Sequence, residues 1–210
     1  PAAGYRGTVA DLLVVGRELL APTLISDALH EEMRTVQFPG LAGILPGYGR
    51  QKPNDWGLGM EIRAHKDPHW TGAHSSPRTF GHFGQSGSFL WVDPEAGLAA
   101  AFLGERRFGP DHVRIWPGIT DAILERFAGG GPADGALALL DEFGFEAAAI
   151  VLGPEGERER RGDVERIRPW RSVTKTLTGV GAALRLDGAQ LASALGIVFV
   201  GAEPAAIFIA

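Results

Sequence analysis

The sequence contains no cysteine. That excludes disulfides, thiolate metal sites and a cysteine nucleophile. Tyrosine is almost as scarce, with Tyr5 and Tyr48 as the two present, so few phenols are available as acids or bases. No apolar run is long enough to span a membrane. No signal peptide is visible at Pro1, which reads as a cytoplasmic protein whose start is processed or cut. Positive charge is not in excess: 20 Lys and Arg stand against 25 Asp and Glu, for a net charge of −5. Bulk charge therefore gives no reason to expect a nucleic-acid partner.

What is present fits a globular chain. The 210 residues are 45% hydrophobic and 21% charged, enough for one large domain or two small ones. The 30 glycines and 14 prolines read as tight turns, because the apolar content is too high for a disordered chain. Basic residues concentrate at 157–171, interleaved with acids as "ERERRGDVERIRPWR". A solvated hairpin and loop accounts for that run, and an anion-binding patch is the lesser reading.

Apolar spacing predicts a helix over 8–20 with Thr8 as N-cap, and a second helix after Ser26. Residues 41–55 are rich in Gly and Pro and read as a loop. Strand candidates follow at 57–63, 87–92 and 98–104. The last two form a hairpin signal around Asp93-Pro94-Glu95-Ala96-Gly97. Residues 65–78 read as a loop, and 110–127 as a helix with Pro117 near its N-terminus. Residues 128–136, "AGGGPADGA", form a linker. After it come a short amphipathic helix, "ALALLDEF", and a strand–turn–strand in "EAAAIVLGPEGERERRG". A further helix then carries Ser172-Val173-Thr174-Lys175.

Two stretches carry chemistry. In S-x-x-K on a helix, residues three apart share a face, so the Lys175 amine reaches the Ser172 oxygen and activates it without a histidine. Taken alone the motif is common, and a capping serine with a surface lysine explains it better. Its setting at a helix N-terminus after a strand pair favours a developing oxyanion. The second stretch is "FGHFGQSGS", residues 80–88. Glycine inside a strand marks close approach of a ligand or backbone, with His82 projecting and Gly84 leaving room beside it. "GQSGS" is not G-x-S-x-G, so Ser86 is a poor nucleophile candidate. His65, His69 and His74 lie in a loop without metal-ligand register, and a solvated loop is expected there; no metal or organic cofactor is implied. Asp67 and Asp111 receive no role.

With these stretches together, the chain resembles the serine β-lactamase and penicillin-binding-protein-like superfamily. It looks closest to the class C-like branch that also holds esterases and D-alanyl peptidases. Ser172-Val173-Thr174-Lys175 matches the S-x-x-K element, and His82-Phe83-Gly84 matches the strand element K-T-G or H-x-G. The resemblance covers most of residues 6–186, with its two parts in reverse order. Residues 1–127 are similar to the family's C-terminal half. Residues 137–210 begin like its N-terminal part, with 128–136 joining the two into one domain. Close termini permit such a circular permutation, and a fusion of two gene fragments would read the same way.

The resemblance implies an α/β (α+β) fold, with a mainly antiparallel sheet of about five strands and helices on both faces. It implies acyl transfer or hydrolysis through a Ser172 acyl-enzyme. Lys175 would take the serine proton. The backbone N–H groups of Ser172 and Gln85 would form the oxyanion hole. His82, in place of the usual lysine, would orient a substrate carboxylate or assist proton transfer. Substrates would be small acyl compounds: β-lactams, short esters or D-amino-acid amides. The family's helical domain with its Y-x-N is missing, and neither tyrosine sits in that motif. The alternative is therefore a permuted scaffold that at most acylates without turnover. A third reading is a homo-oligomer whose site is completed by a partner chain. The tail 188–210 matches nothing in the family and would cover apolar surface left by the missing domain.

Overall fold

A computed structural model describes residues 3–130, 135–185 and 190. The tail expected to cover apolar surface lies outside the described residues, Gln190 excepted. Among the described residues there are ten strands, four α-helices and two short 3-10 helices. The chain opens with β1 (Arg6–Gly7), α1 (Val9–Leu20), α2 (Asp27–Met33), β2 (Gly43–Leu45) and β3 (Gly49–Gln51). Then come β4 (Glu61–Ile62), β5 (Phe80–Gly84), β6 (Ser88–Asp93), β7 (Leu98–Gly104) and α3 (Pro110–Phe127). The second part holds the 3-10 helix Ala136–Glu142, β8 (Ala147–Gly153), β9 (Gly156–Arg161), β10 (Arg168–Pro169), the 3-10 helix Arg171–Val173 and α4 (Thr174–Ala183).

The main sheet has six antiparallel strands in the order β4-β5-β6-β7-β8-β9, one more than expected, because β5 adds to the three strands counted over 57–104. The edge between the two parts is a ladder from Ala99↔Leu152 to Gly104↔Ala147. Period-two alternation divides the apolar residues between the faces. Leu90, Val92, Ala99, Ala101, Ile150 and Leu152 pack with α1, α4 and Trp170. Phe89, Trp91, Ala100, Phe102 and Val151 pack with α3 and the Ala136–Glu142 segment. Alanines on β7 let α1 lie close: a β-carbon on Gly16 would stand 3.6 Å from Ala99 Cβ.

Local chemistry fixes the element ends. Thr8 Oγ1 accepts from Asp11 N while Asp11 Oδ2 accepts from Thr8 N at 2.8 Å, a capping box on α1. Ser26 caps α2. Asp93 closes the β6–β7 turn by accepting from the Glu95 and Ala96 amides.

Several expectations are corrected. Pro110, not Pro117, takes the first turn of α3, and Pro117 lies inside the helix. Burial of Ile115, Trp116, Ile119 and Ile123 outweighs the lost backbone bond there. The 41–55 loop contains the β2–β3 hairpin. The strand expected over 57–63 shrinks to Glu61–Ile62. Residues 136–142 form a 3-10 helix, whose first amides donate to the Glu159 carboxylate. The 65–78 segment is a loop but not a solvated one, since Lys66, His69, Trp70 and Thr71 are buried. Arg168, in the run read as solvated, is 2% exposed.

Candidate active site

The sequence on either side of Ser172 bends the chain sharply. Arg171 holds φ +48, a region that side chains avoid. The residues then form a single 3-10 turn before α4 begins at Thr174. Strain of this kind persists only where the surroundings over-determine it. Here β1 pairs with β10 just upstream, and Trp170 N donates to Tyr5 O at 2.9 Å. On the far side, α4 meets the loop before β4. A β-carbon on Gly179 would stand 3.0 Å from Gly59 Cα, so glycine at both positions is what lets the two backbones touch. Lys175, on the first turn of α4, is fixed by that contact.

β5 supplies the opposite wall. A β-carbon on Gly84 would lie 3.1 Å from Ser172 N and 2.9 Å from Trp170 O. The glycine thus lets the serine's backbone approach the sheet. Ser88 Oγ, from β6, donates to Trp170 O at 3.0 Å, and Ser86 Oγ is spent on Ser88 Oγ at 2.7 Å. Ser86 is accordingly a structural hydroxyl.

Ser172, Lys175, His82 and Gln85 line one cavity of about 350 Å³, together with Trp56 and Glu61. The structure therefore brings the expected site residues together, across 90 residues of sequence and from both parts of the chain. His82 Nδ1 lies 2.6 Å from the Phe83 carbonyl. A carbonyl only accepts, so Nδ1 carries the proton and Nε2 keeps its lone pair. Nε2 is buried without a partner among the described residues. Burial, and after it the charge of Lys175, lower the His82 pKa to about 4, so the ring is neutral at pH 7. Burial also pushes the Lys175 ammonium below its ordinary value.

One part of the site escaped sequence reasoning. Glu61 on β4 is 2% exposed and lines the cavity. Its Oε1 accepts from Lys66 Nζ at 2.9 Å and lies 3.2 Å from His69 Nε2. Its Oε2 accepts from Trp70 Nε1 at 2.9 Å. Burial alone would raise this carboxyl, but the bonds and charges of His69 and Lys66 outweigh it and hold the pKa at about 2. Lys66 also donates to the carbonyls of Asp55 and Ile62. The available signal was a carboxylate between Met60 and Ile62 in an apolar strand. Tyr48 is buried among Phe83 and Phe108, and burial pushes its phenol well above the ordinary range. Among the described residues no group of three or more His, Asp or Glu could hold a metal ion, and no helix is long and apolar enough to cross a membrane.

Comparison with known proteins bears on this site. The beta-lactamase family model matches residues 1–123, which takes in His82, Gly84 and Gln85 and ends before Ser172. Among solved structures, a beta-lactamase from Mycobacterium bovis is 58% identical with a TM-score of 0.55, over 57% of this chain and 44% of that one. The chain thus spans less than half the length of that relative. No curated protein matches. With the family model matching more than half of its residues, the chain belongs to the beta-lactamase family.

Proposed function

We propose that the protein is a serine hydrolase or acyltransferase that works through a Ser172 acyl-enzyme. The observation that carries this reading is the single cavity lined by Ser172, Lys175, His82 and Gln85. Lys175, partly desolvated, takes the proton as Ser172 Oγ bonds to the substrate's carbonyl carbon. The backbone N–H groups of Ser172 and Gln85 hold the resulting oxyanion. Collapse of the tetrahedral adduct breaks the bond to the leaving group, which recovers the proton, and the acyl group stays on Ser172. His82 acts as a neutral hydrogen-bond acceptor through Nε2 and not as a cation for a carboxylate, in keeping with its lowered pKa. Water completes hydrolysis. Substrates are small acyl compounds: β-lactams, short esters or D-amino-acid amides.

A second reading is favoured by one specific observation: both tyrosines lie outside a Y-x-N. Tyr48 is buried with its ionisation suppressed, so it does not replace the missing base. Loss of one positioned base costs about 10²–10⁴ in rate, and the acyl-enzyme then accumulates. The permuted order of the two parts belongs to the same proposal. It rests on motif order, with His82-Phe83-Gly84 preceding Ser172-Val173-Thr174-Lys175 in the chain. It is supported also by α3 and the 136–142 segment sharing one apolar cluster on one face of the sheet.

The test is turnover of a chromogenic cephalosporin and of p-nitrophenyl acetate by the wild type and by Ser172→Ala. Release of chromophore by the wild type alone supports the hydrolase. A stoichiometric burst followed by a stop supports the trapped acyl-enzyme. Equal rates for the two proteins would remove both readings.

A further inference from the structure

On the other side of Gln85 from the acyl cavity lies a second hollow of about 660 Å³. Five arginines line it: Arg6, Arg107, Arg166, Arg168 and Arg171. They face a single lining carboxylate, Glu105. Glu105 is already engaged, with Arg166 Nε at 2.9 Å and Arg168 Nε at 3.7 Å. Arg166 also pairs with Glu146. Arg6, Arg107 and Arg171 are exposed and have no ion pair among the described residues.

Arg168 is the second, independent observation. Its side chain is 3% exposed. Nη1 donates to Asp163 O at 2.8 Å and to Arg166 O at 3.3 Å. Among the described residues Nη2 has no hydrogen-bond partner, and Nε has only the Glu105 carboxylate, beyond hydrogen-bond distance at 3.7 Å. A buried guanidinium with unmade bonds is costly. Four more arginines around it add repulsion that Glu105 and Glu146 offset only in part, and a bound oxyanion would satisfy the unmade bonds and offset the remaining charge. The planar fork of arginine suits phosphate-class oxygens bidentately.

We propose that this hollow is an oxyanion subsite that takes the anionic end, a phosphate-class group, of the acyl substrate whose carbonyl reaches Ser172. The assignment rests on the hydrolase reading for its substrate half only. Position links the two hollows: Gln85 lines both, and Arg171 immediately precedes Ser172. Arg107 Nη2 lies 3.5 Å from Gln85 Oε1, so an anion held by Arg107 would adjoin the oxyanion-hole residue. A substrate spanning both hollows would be anchored at one end and cleaved at the other.

The experiment uses the whole chain in two arms. In the first, inorganic phosphate is titrated at constant ionic strength with chloride as control, and the thermal midpoint is read for the wild type and for Arg6→Gln/Arg107→Gln. Both arginines are exposed and make no ion pair among the described residues, so the fold survives their loss. The expected result is a saturable rise for the wild type that the variant loses. In the second arm, kcat/KM, or the acylation rate if turnover is absent, is compared for p-nitrophenyl phosphonoacetate and p-nitrophenyl acetate. The anionic ester should be preferred, with the preference falling roughly tenfold or more in the variant, as for a lost charge-assisted bond. A phosphate response equal to chloride, or equal in the variant, overturns the site. Phosphate binding with acylation indifferent to ester charge overturns the substrate assignment. Phosphate binding without acylation of Ser172 by either ester keeps the anion site and removes the hydrolase reading, so the two failures are distinct.

Discussion

The backbone nitrogen of Ser172 lies 3.1 Å from the point that a β-carbon on Gly84 would occupy. The same β-carbon would stand 2.9 Å from both Trp170 O and Ser88 Oγ. Gly84→Ala therefore pushes the serine turn off the sheet edge and spoils the aim of an oxyanion donor. Acylation by a fluorophosphonate should slow by about 10²–10³-fold. The urea midpoint should fall as well, reflecting the loss of about 1–3 kcal/mol from an overpacked contact, so labelling is compared where the variant remains folded. A variant that labels at the wild-type rate would show that the contact does not position Ser172.

The Glu61–Lys66 pair gives a prediction on stability. Both side chains are nearly inaccessible, at 2% and 1% exposure. Glu61→Gln leaves the Lys66 charge buried and unpaired, which costs about 3–5 kcal/mol. Lys66→Met placed on top of it removes the orphaned charge and should recover a good part of the loss. Urea denaturation of the two single variants and the double variant checks this. Additive losses would mean that the pair is not coupled.

Acid should destabilise the protein in two stages. His82 and His112 both have folded pKa values of about 4, lowered first by burial, against an ordinary 6.5. Between those limits the unfolded chain binds more protons than the folded one, so stability falls as pH drops from 6.5 to 4. Glu61, held at about 2 against an ordinary 4.5, adds a further loss as pH falls from 4.5 to 2. Thermal midpoints measured across pH 2–8 should bend downward below 6.5. His82→Leu should shrink the upper stage, with His112 keeping part of it, while leaving the lower one. A flat curve to pH 4 would contradict the buried neutral histidines.

Gly59 tests the seat of α4. It holds φ +77, and a β-carbon there would meet Lys175 O at 2.9 Å and Gly179 Cα at 3.0 Å. Gly59→Ala combines backbone strain with a clash, for a loss of about 1–3 kcal/mol. It should also slow Ser172 labelling, because it displaces the turn that carries Lys175. Loss of stability with unchanged labelling would detach the contact from the site.

Much of this was legible in the sequence, for physical reasons. Thr8 with Asp11 three residues on, Asp93-Pro94-Glu95-Ala96-Gly97, and the strand of 98–104 are local signals that tertiary packing had no reason to override. Ser172, Lys175, His82 and Gln85 were singled out through motif spacing and line one cavity, while Gly84 stands beside it against the backbone of Ser172. The misses are tertiary. Nothing local says that Pro117 survives inside α3; that depends on Trp116 and Ile119 packing against the sheet. Nothing in the 65–78 loop says that His69 turns inward, because its partner Glu61 is on β4. The 157–171 run reads as solvated from its alternating charge, yet Arg168 is buried where β10 pairs with β1, 161 residues away in sequence at Gly7↔Arg168.

The measurement that bears most directly on the central claim is the intact mass of the protein over time with a reactive β-lactam and, separately, with a fluorophosphonate, beside Ser172→Ala. The account predicts one adduct per wild-type chain with at least one reagent, mapped to the peptide holding Ser172, and none on the variant. Decay of the β-lactam adduct would mark turnover, and persistence a trapped acyl-enzyme. An unmodified wild type with both reagents, or an adduct that survives Ser172→Ala, would contradict the assignment of Ser172 as the nucleophile.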